Sequence, residues 1–241
     1  MRYGFSRSCR TRRARMPRKE MVKYRKSLAL FRERNRKQHW DEAFRLMSEA
    51  ASEGSLDALA SLGTFFAYGI GTPRNNLRAF RCYLEAATAG NADAQYNLGL
   101  AFLDGHGTKR HGKAAVKWFR KAANRGLPEA LHMLGYCYRY GHGVRREPHR
   151  GFALELEAAQ RGVTEAQFST GVCFSRGQGV AADRKAAFKW YLRAARAGHD
   201  DAAHNVAYFY EGGIGIPQNR KLAKYWYTKA DALRRERQSR C

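Results

Sequence analysis

The sequence has no long apolar run. Nothing in its 241 residues approaches the roughly 18 consecutive apolar side chains that a membrane-crossing helix needs. The N-terminus also lacks the apolar stretch of a secretory signal, so the expected setting is cytoplasmic. Cysteine is scarce and unpatterned. Five residues, at positions 9, 82, 137, 173 and 241, give neither an even disulfide set nor a C-x-x-C metal pair, and reduced thiols are expected. There is no Ser-x-x-Lys motif, no nucleophile elbow and no H-x-x-x-H pair offering two imidazoles to one ion. These absences point to no catalytic residue, no metal and no cofactor, and hence to a protein that is not an enzyme.

Acid is missing from one end. Residues 1–19, MRYGFSRSCRTRRARMPRK, hold eight Lys or Arg and no Asp or Glu. The formal net charge is +24, and residues 1–38, with 15 bases and two acids, carry +13 of it. Three readings of this arm stay open. It is a disordered arm that grips a polyanion through Arg10, Arg12, Arg13, Arg15, Arg18 and Lys19, nucleic acid being the alternative partner of this chain. It is an organelle-targeting presequence, mitochondrial in type. Or it is absent from a native product that begins at Met16 or Met21. Basic residues also recur later, among them Lys117, Lys121, Lys189 and Arg193; a charged solvated helix face is the plain explanation, and a surface facing RNA or a ribonucleoprotein is the rival.

What the chain does have is glycine, in a repeating pattern. The stretch DGHGTKRHG at 104–112 sets glycines beside Thr108, Lys109 and Arg110, as a phosphate loop would, and beside two histidines, as a metal site would. Shifting the chain against itself by 36 residues brings the same pair back as Gly69/Gly71, Gly105/Gly107, Gly141/Gly143, Gly177/Gly179 and Gly213/Gly215. Between them stand Ile70, His106, His142, Gln178 and Ile214, a mixture that no ligand site would tolerate. A backbone role fits: the first glycine ends a helix in the left-handed conformation and the second lets the chain reverse.

Each 36-residue segment therefore predicts two helices. The first opens with an acid (Asp57, Asp93, Glu129, Glu165, Asp201) followed by alanine, and then sets a small residue and an aromatic on one face, as in Leu98–Gly99–Phe102. The second is capped by Asn75, Asp183 or Asn219, with His111 and Glu147 poor caps in the same slot. It carries an inward alanine or glycine, then bulky groups such as Trp118, Trp190 and Trp226. Cys137 and Cys173 share one slot, which suits small buried groups. Residues 39–55 match a preceding second helix. Met21, Tyr24, Leu28 and Phe31 fall on one face of an amphipathic helix before it.

The G-x-G loop, the leucine–glycine–aromatic first helix and the W-[YF]-x-[KR]-A-A second helix resemble the Sel-one-like repeat (SLR) family, relatives of the tetratricopeptide repeat. The resemblance implies an all-α fold, an α-α superhelix or right-handed helical-repeat solenoid, of five helix-pair repeats of 36 residues plus N-terminal capping helices. The expected divisions are 1–19 the basic arm, 20–55 the capping helices, repeats at 56–91, 92–127, 128–163, 164–199 and 200–235, and a polar tail at 236–241.

The same resemblance implies a scaffold or adaptor whose first helices line a concave groove for a protein partner, an extended or acidic segment. Carried onto this chain, the groove residues are Tyr96, His132, Phe168 and His204 in one row, Leu100, Tyr136, Val172 and Tyr208 one turn later, and Tyr68, Tyr140 and Arg176 towards the loops. Cysteine-rich relatives, with a cysteine pair in each unit, are linked to penicillin-type ligands and suggest a weaker alternative, a β-lactamase-like hydrolase; no unit here holds two cysteines.

Overall fold

The computed structural model describes residues 18–32 and 37–238, without the side chains of 18–20, 31, 32, 37 and 38. Among the described residues there are twelve helices and no strand. They are α1 (Arg18–Arg32), α2 (Lys37–Ser52), α3 (Leu56–Tyr68), α4 (Asn76–Thr88), α5 (Ala92–Asp104), α6 (Gly112–Asn124), α7 (Pro128–Tyr140), α8 (Pro148–Gln160), α9 (Thr164–Arg176), α10 (Arg184–Arg196), α11 (Asp200–Gly212) and α12 (Arg220–Gln238). The described residues divide into two compact units, one with α1 to α6 as far as Leu127 and one from Pro128 with α7 to α12. In each unit, consecutive helices pack into hairpins and each hairpin packs on the next, which is the all-α helical-repeat solenoid that the 36-residue period requires.

Within a hairpin the small residue of the first helix is roofed by a ring of the second. A Cβ added to Gly63 would meet the Tyr83 ring at 2.6 Å; at Gly99 it would meet Phe119 at 2.5 Å, and at Gly171 Tyr191 at 2.6 Å. Glycine is thus what lets the ring lie against bare backbone. Between hairpins the aromatic of the first helix packs edge-on against a ring of the preceding second helix: Phe66 on Phe44, Phe102 on Phe80, Phe174 on Phe152 and Tyr210 on Phe188, with centroids 5.2–5.4 Å apart. That geometry suits the ring quadrupole and recurs because the sequence recurs.

The glycine pairs do two separate jobs. Gly105, at φ 79°, closes α5 with its N–H bonded to the Ala101 carbonyl at 2.9 Å. Gly107 has a different constraint: a Cβ there would stand 2.1 Å from the Asn76 carbonyl oxygen, because the loop lies directly on the start of α4 in the preceding hairpin. Gly71 takes the same seat on Trp40, and Gly179 on Pro148. The second glycine is needed for stacking one repeat on another, beyond the chain reversal read from the sequence.

Caps follow the expected slots with one correction. Asn75, Asp183 and Asn219 accept the N–H of Arg78, Ala186 and Leu222 at 2.9–3.0 Å. Glu147 makes no side-chain cap bond. His111 does cap, contrary to expectation, through Nδ1 accepting the Ala114 N–H at 3.1 Å, and His199 does the same for Ala202 at 3.3 Å. A neutral imidazole nitrogen is an adequate acceptor at that distance.

The ends are closed by charge and by one buried hydroxyl. Ser27 of α1 donates to the Ala43 carbonyl at 2.7 Å, while Tyr24, Leu28 and Leu30 pack on the first core. Phe31, expected on that face, lies outside the described side chains. At the other end α12 runs 19 residues, and Arg237 and Arg234 reach back to Asp200 at 3.0 and 3.7 Å.

Candidate binding groove

Between α9 and α11, in the second unit, lies a groove of about 490 Å³. Phe168, Val172 and Arg176 line it from α9, and His204 and Tyr208 from α11, with Tyr191 of α10 below and Arg234 of α12 at one end. These five side chains of α9 and α11 are the groove residues expected of the fourth and fifth repeats, and the structure gathers them in one place. Spacings of four residues along each helix put them on one face, and the equal repeat length puts α9 beside α11.

Their surroundings differ. Phe168 stacks on His199 at 4.3 Å and packs against Tyr191 at 5.8 Å, so it forms the apolar floor. Tyr208 is 55% exposed, and His204 is exposed with its ring edge-on to Tyr227 at 5.1 Å. Arg176 is exposed and makes no ion pair among the described residues. The Tyr191 hydroxyl bonds to Ser175 and Asn205, and burial pushes its phenol up from the usual value. Ser175, His204 and Asp201 share the lining, yet Ser175 is engaged with Tyr191 and Asp201 lies 3.6 Å from Arg234. No hydrogen bond links serine to histidine or histidine to aspartate, so the three do not form a nucleophile–base relay.

The remaining expected residues are dispersed. In the first unit Tyr68 is 43% exposed at the end of α3, Tyr96 packs against Phe119 at 6.0 Å and Leu100 is half-buried a turn later. In the second, Tyr136 and Tyr140 pair at 4.8 Å, and Tyr136 stacks on His142 at 5.3 Å. His132 is only 15% exposed and lies 3.9 Å from Glu155. Arg10, Arg12, Arg13 and Arg15 lie outside the described residues; Arg18 and Lys19 open α1 with side chains outside them too.

The third repeat holds a feature that the sequence reading passed over. Glu155 occupies the slot filled by Tyr83, Phe119, Tyr191 and Tyr227 in the other repeats, and it is fully buried. Arg139, 5% exposed, donates from Nη2 to Glu155 Oε1 at 3.0 Å and from Nη1 to Gln178 Oε1 at 3.1 Å and Cys173 Sγ at 3.3 Å. Burial pushes the Glu155 carboxyl up to about 7 against the pull of Arg139, and the Cys173 thiol up to about 12. Burial also holds His132 down at about 4. Aligning the repeats exposes the signal, since an acid stands in a column of rings. Cys82, Cys137 and Cys173 are free thiols. His199, Asp200 and Asp201 bring three possible ligand atoms within 4.8 Å of one another, but His199 Nδ1 caps α11 and the two carboxylates face Arg234 and Arg237.

The Sel1 repeat model matches residues 41–55, 56–91, 92–127, 128–163, 164–199 and 200–230. The chain belongs to the Sel1 repeat family. Sel1 repeat proteins are typically protein-interaction scaffolds. Among solved structures, a Sel1 repeat protein from Oxalobacter formigenes is similar over 87% of this chain and 82% of its own, with 28% identity and a TM-score of 0.74. A protective antigen present in uropathogenic Escherichia coli strains, displaying an SLR fold, is similar over 88% of this chain with 27% identity and a TM-score of 0.75; this chain spans 46% of its length. An immunity protein from Pseudomonas aeruginosa, at 21% identity and a TM-score of 0.66, shares the fold. No curated protein matches the sequence. No described helix is long and apolar enough to cross a membrane.

Proposed function

We propose that this Sel1 repeat protein is a non-catalytic scaffold that holds an extended or acidic protein segment in the groove between α9 and α11. One observation carries the reading: Phe168, Val172, Arg176, His204 and Tyr208 line a single groove of about 490 Å³ with an apolar floor and a polar rim. Rigid rings lose little rotamer freedom on binding, and an apolar floor with a few fixed polar groups is what peptide recognition uses. Arg176, free of acidic partners, supplies charge for a carboxylate. The lining offers no activated nucleophile, which favours holding over turnover.

The test compares the full chain with His204→Ala/Tyr208→Ala, both purified from the native cell after nuclease treatment. A protein retained by the wild type and lost by the variant, at an unchanged melting temperature, supports the reading. Retention by both, or turnover of a chromogenic β-lactam by the wild type, contradicts it.

A further inference from the structure

The groove leaves unused the edge of the repeats where the glycine loops lie. In the second unit the loop segments 141–150, 177–186 and 213–222 carry seven Lys or Arg against two acids. The opposite-edge turns, 160–165 and 196–201, carry two bases against three acids. The charge is thus one-sided. Both loop-edge acids are occupied, Asp183 capping α10 and Glu147 lying 3.7 Å from Arg150. Arg145, Arg184, Lys185, Arg220 and Lys221 are exposed and have no acidic partner among the described residues.

Stacking joins these loops into a row. Gly179 sits on the Pro148 carbonyl, and Gly215 sits against Arg184, so these two loops rest on the first residues of the second helix before them. Arg145 and Arg150 therefore flank the next loop, and Arg184 and Lys185 the one after. At the start of the row stand three rings. Tyr136 and Tyr140 lie 4.8 Å apart, and His142 is nearly parallel to Tyr136, at 21° and 5.3 Å. Tyr140 is 47% exposed.

We infer that this loop edge binds a single-stranded nucleic acid, with phosphates along the cationic row and a base stacked on the Tyr136/Tyr140/His142 cluster. A row of unpaired cations attracts any polyanion and releases its counterions on binding. The rings choose among polyanions: an unpaired base has a free face to stack, whereas duplex bases, heparin and acidic peptide offer none. The site is separate from the α9–α11 groove, and neither reading needs the other.

Fluorescence anisotropy on the full chain tests it, with a labelled oligouridine of roughly a dozen nucleotides, a duplex of equal length, heparin and polyglutamate as probes. The triple variant Arg145→Glu/Lys185→Glu/Lys221→Glu is expected to lose about tenfold or more in affinity for oligouridine and to flatten its salt dependence between about 50 and 200 mM. Tyr140→Ala/His142→Ala is expected to lose about fivefold or more for oligouridine and nothing for heparin, while Tyr140→Phe keeps binding. Oligouridine binding that survives the charge reversal overturns the inference. So does an equal loss of heparin binding on ring removal, or duplex or polyglutamate bound as tightly as the single strand.

Discussion

Arg139 and Glu155 form a buried ion pair, Nη2 to Oε1 at 3.0 Å, in the repeat whose second helix carries an acid at the slot that holds a ring in the other four. Gly135 and Gly151 face each other there, and a Cβ on either would come within 2.8 Å of a carbonyl oxygen of the other helix. The two helices approach through paired glycines, and the space the ring fills elsewhere goes to a carboxylate and a guanidinium. Arg139 continues to Gln178 and Cys173 and so ties the third repeat to the fourth.

Removing one partner alone leaves the other buried without its hydrogen-bonded counterpart. Arg139→Ala is expected to cost about 3–5 kcal/mol in urea unfolding. Arg139→Leu/Glu155→Phe installs the pair found at those slots in the second repeat, Leu103 and Phe119, and is expected to recover most of that loss, since an apolar pair often replaces a buried ion pair without penalty. A double variant as unstable as the single one would show that the repeats are not equivalent there.

Glu155 and His132 make opposite contributions to pH dependence. The Glu155 carboxyl is raised from 4.5 to about 7 in the folded chain, so its contribution is complete below about 4.5 and is lost as pH rises through 7. His132 is lowered from 6.5 to about 4, so its contribution is complete above about 6.5 and is lost as pH falls through 4. Glu165 pulls His132 up, while the Arg139 charge adds to the downward push of burial. Between pH 4.5 and 6.5 the two slopes offset each other. Relative to wild type, His132→Gln should lose stability as pH rises from 4 to 6.5, and Glu155→Gln should gain it from 4.5 to 7. Thermal melts across that range check both, and parallel profiles for all three proteins would contradict the assignment.

Glycines of equal sign but unequal surroundings should respond differently. Gly162, at φ 92°, has open space where a Cβ would go, whereas Gly179, at φ 74°, would set one 2.2 Å from the Pro148 carbonyl. Gly162→Ala is expected to cost roughly 1–2 kcal/mol from backbone strain alone. Gly179→Ala adds a steric clash to the same strain, and should cost roughly 1–3 kcal/mol more or prevent folding. Equal losses would mean that the loops do not rest on the preceding helices.

The all-α repeat fold was legible because its determinants are local and periodic: a glycine pair every 36 residues, an acid at each first turn, rings at fixed offsets. Those features need no knowledge of what packs on what. The second glycine looks like a turn residue in the sequence, because its real constraint, a carbonyl from the preceding hairpin, is set by stacking and leaves no mark within one repeat. His111 ranks as a poor cap because that ranking reflects frequency, yet a single imidazole nitrogen presents its lone pair to the Ala114 N–H. Arg139 and Glu155 escaped notice because sixteen residues separate them and each looks like an ordinary surface charge. Which groove candidates are open and which are covered, Tyr208 against His132, depended on neighbours in other helices and was beyond periodicity.

A photo-crosslinking residue placed at position 208, with a second version at position 189 on the exposed side of α10, tests the central claim that the α9–α11 face holds a protein. Expressed in the native cell and irradiated, the 208 version should give a discrete protein adduct that Arg176→Ala/His204→Ala abolishes, and the 189 version should give none. Adducts at 189 with none at 208, or a 208 adduct indifferent to those substitutions, would contradict it.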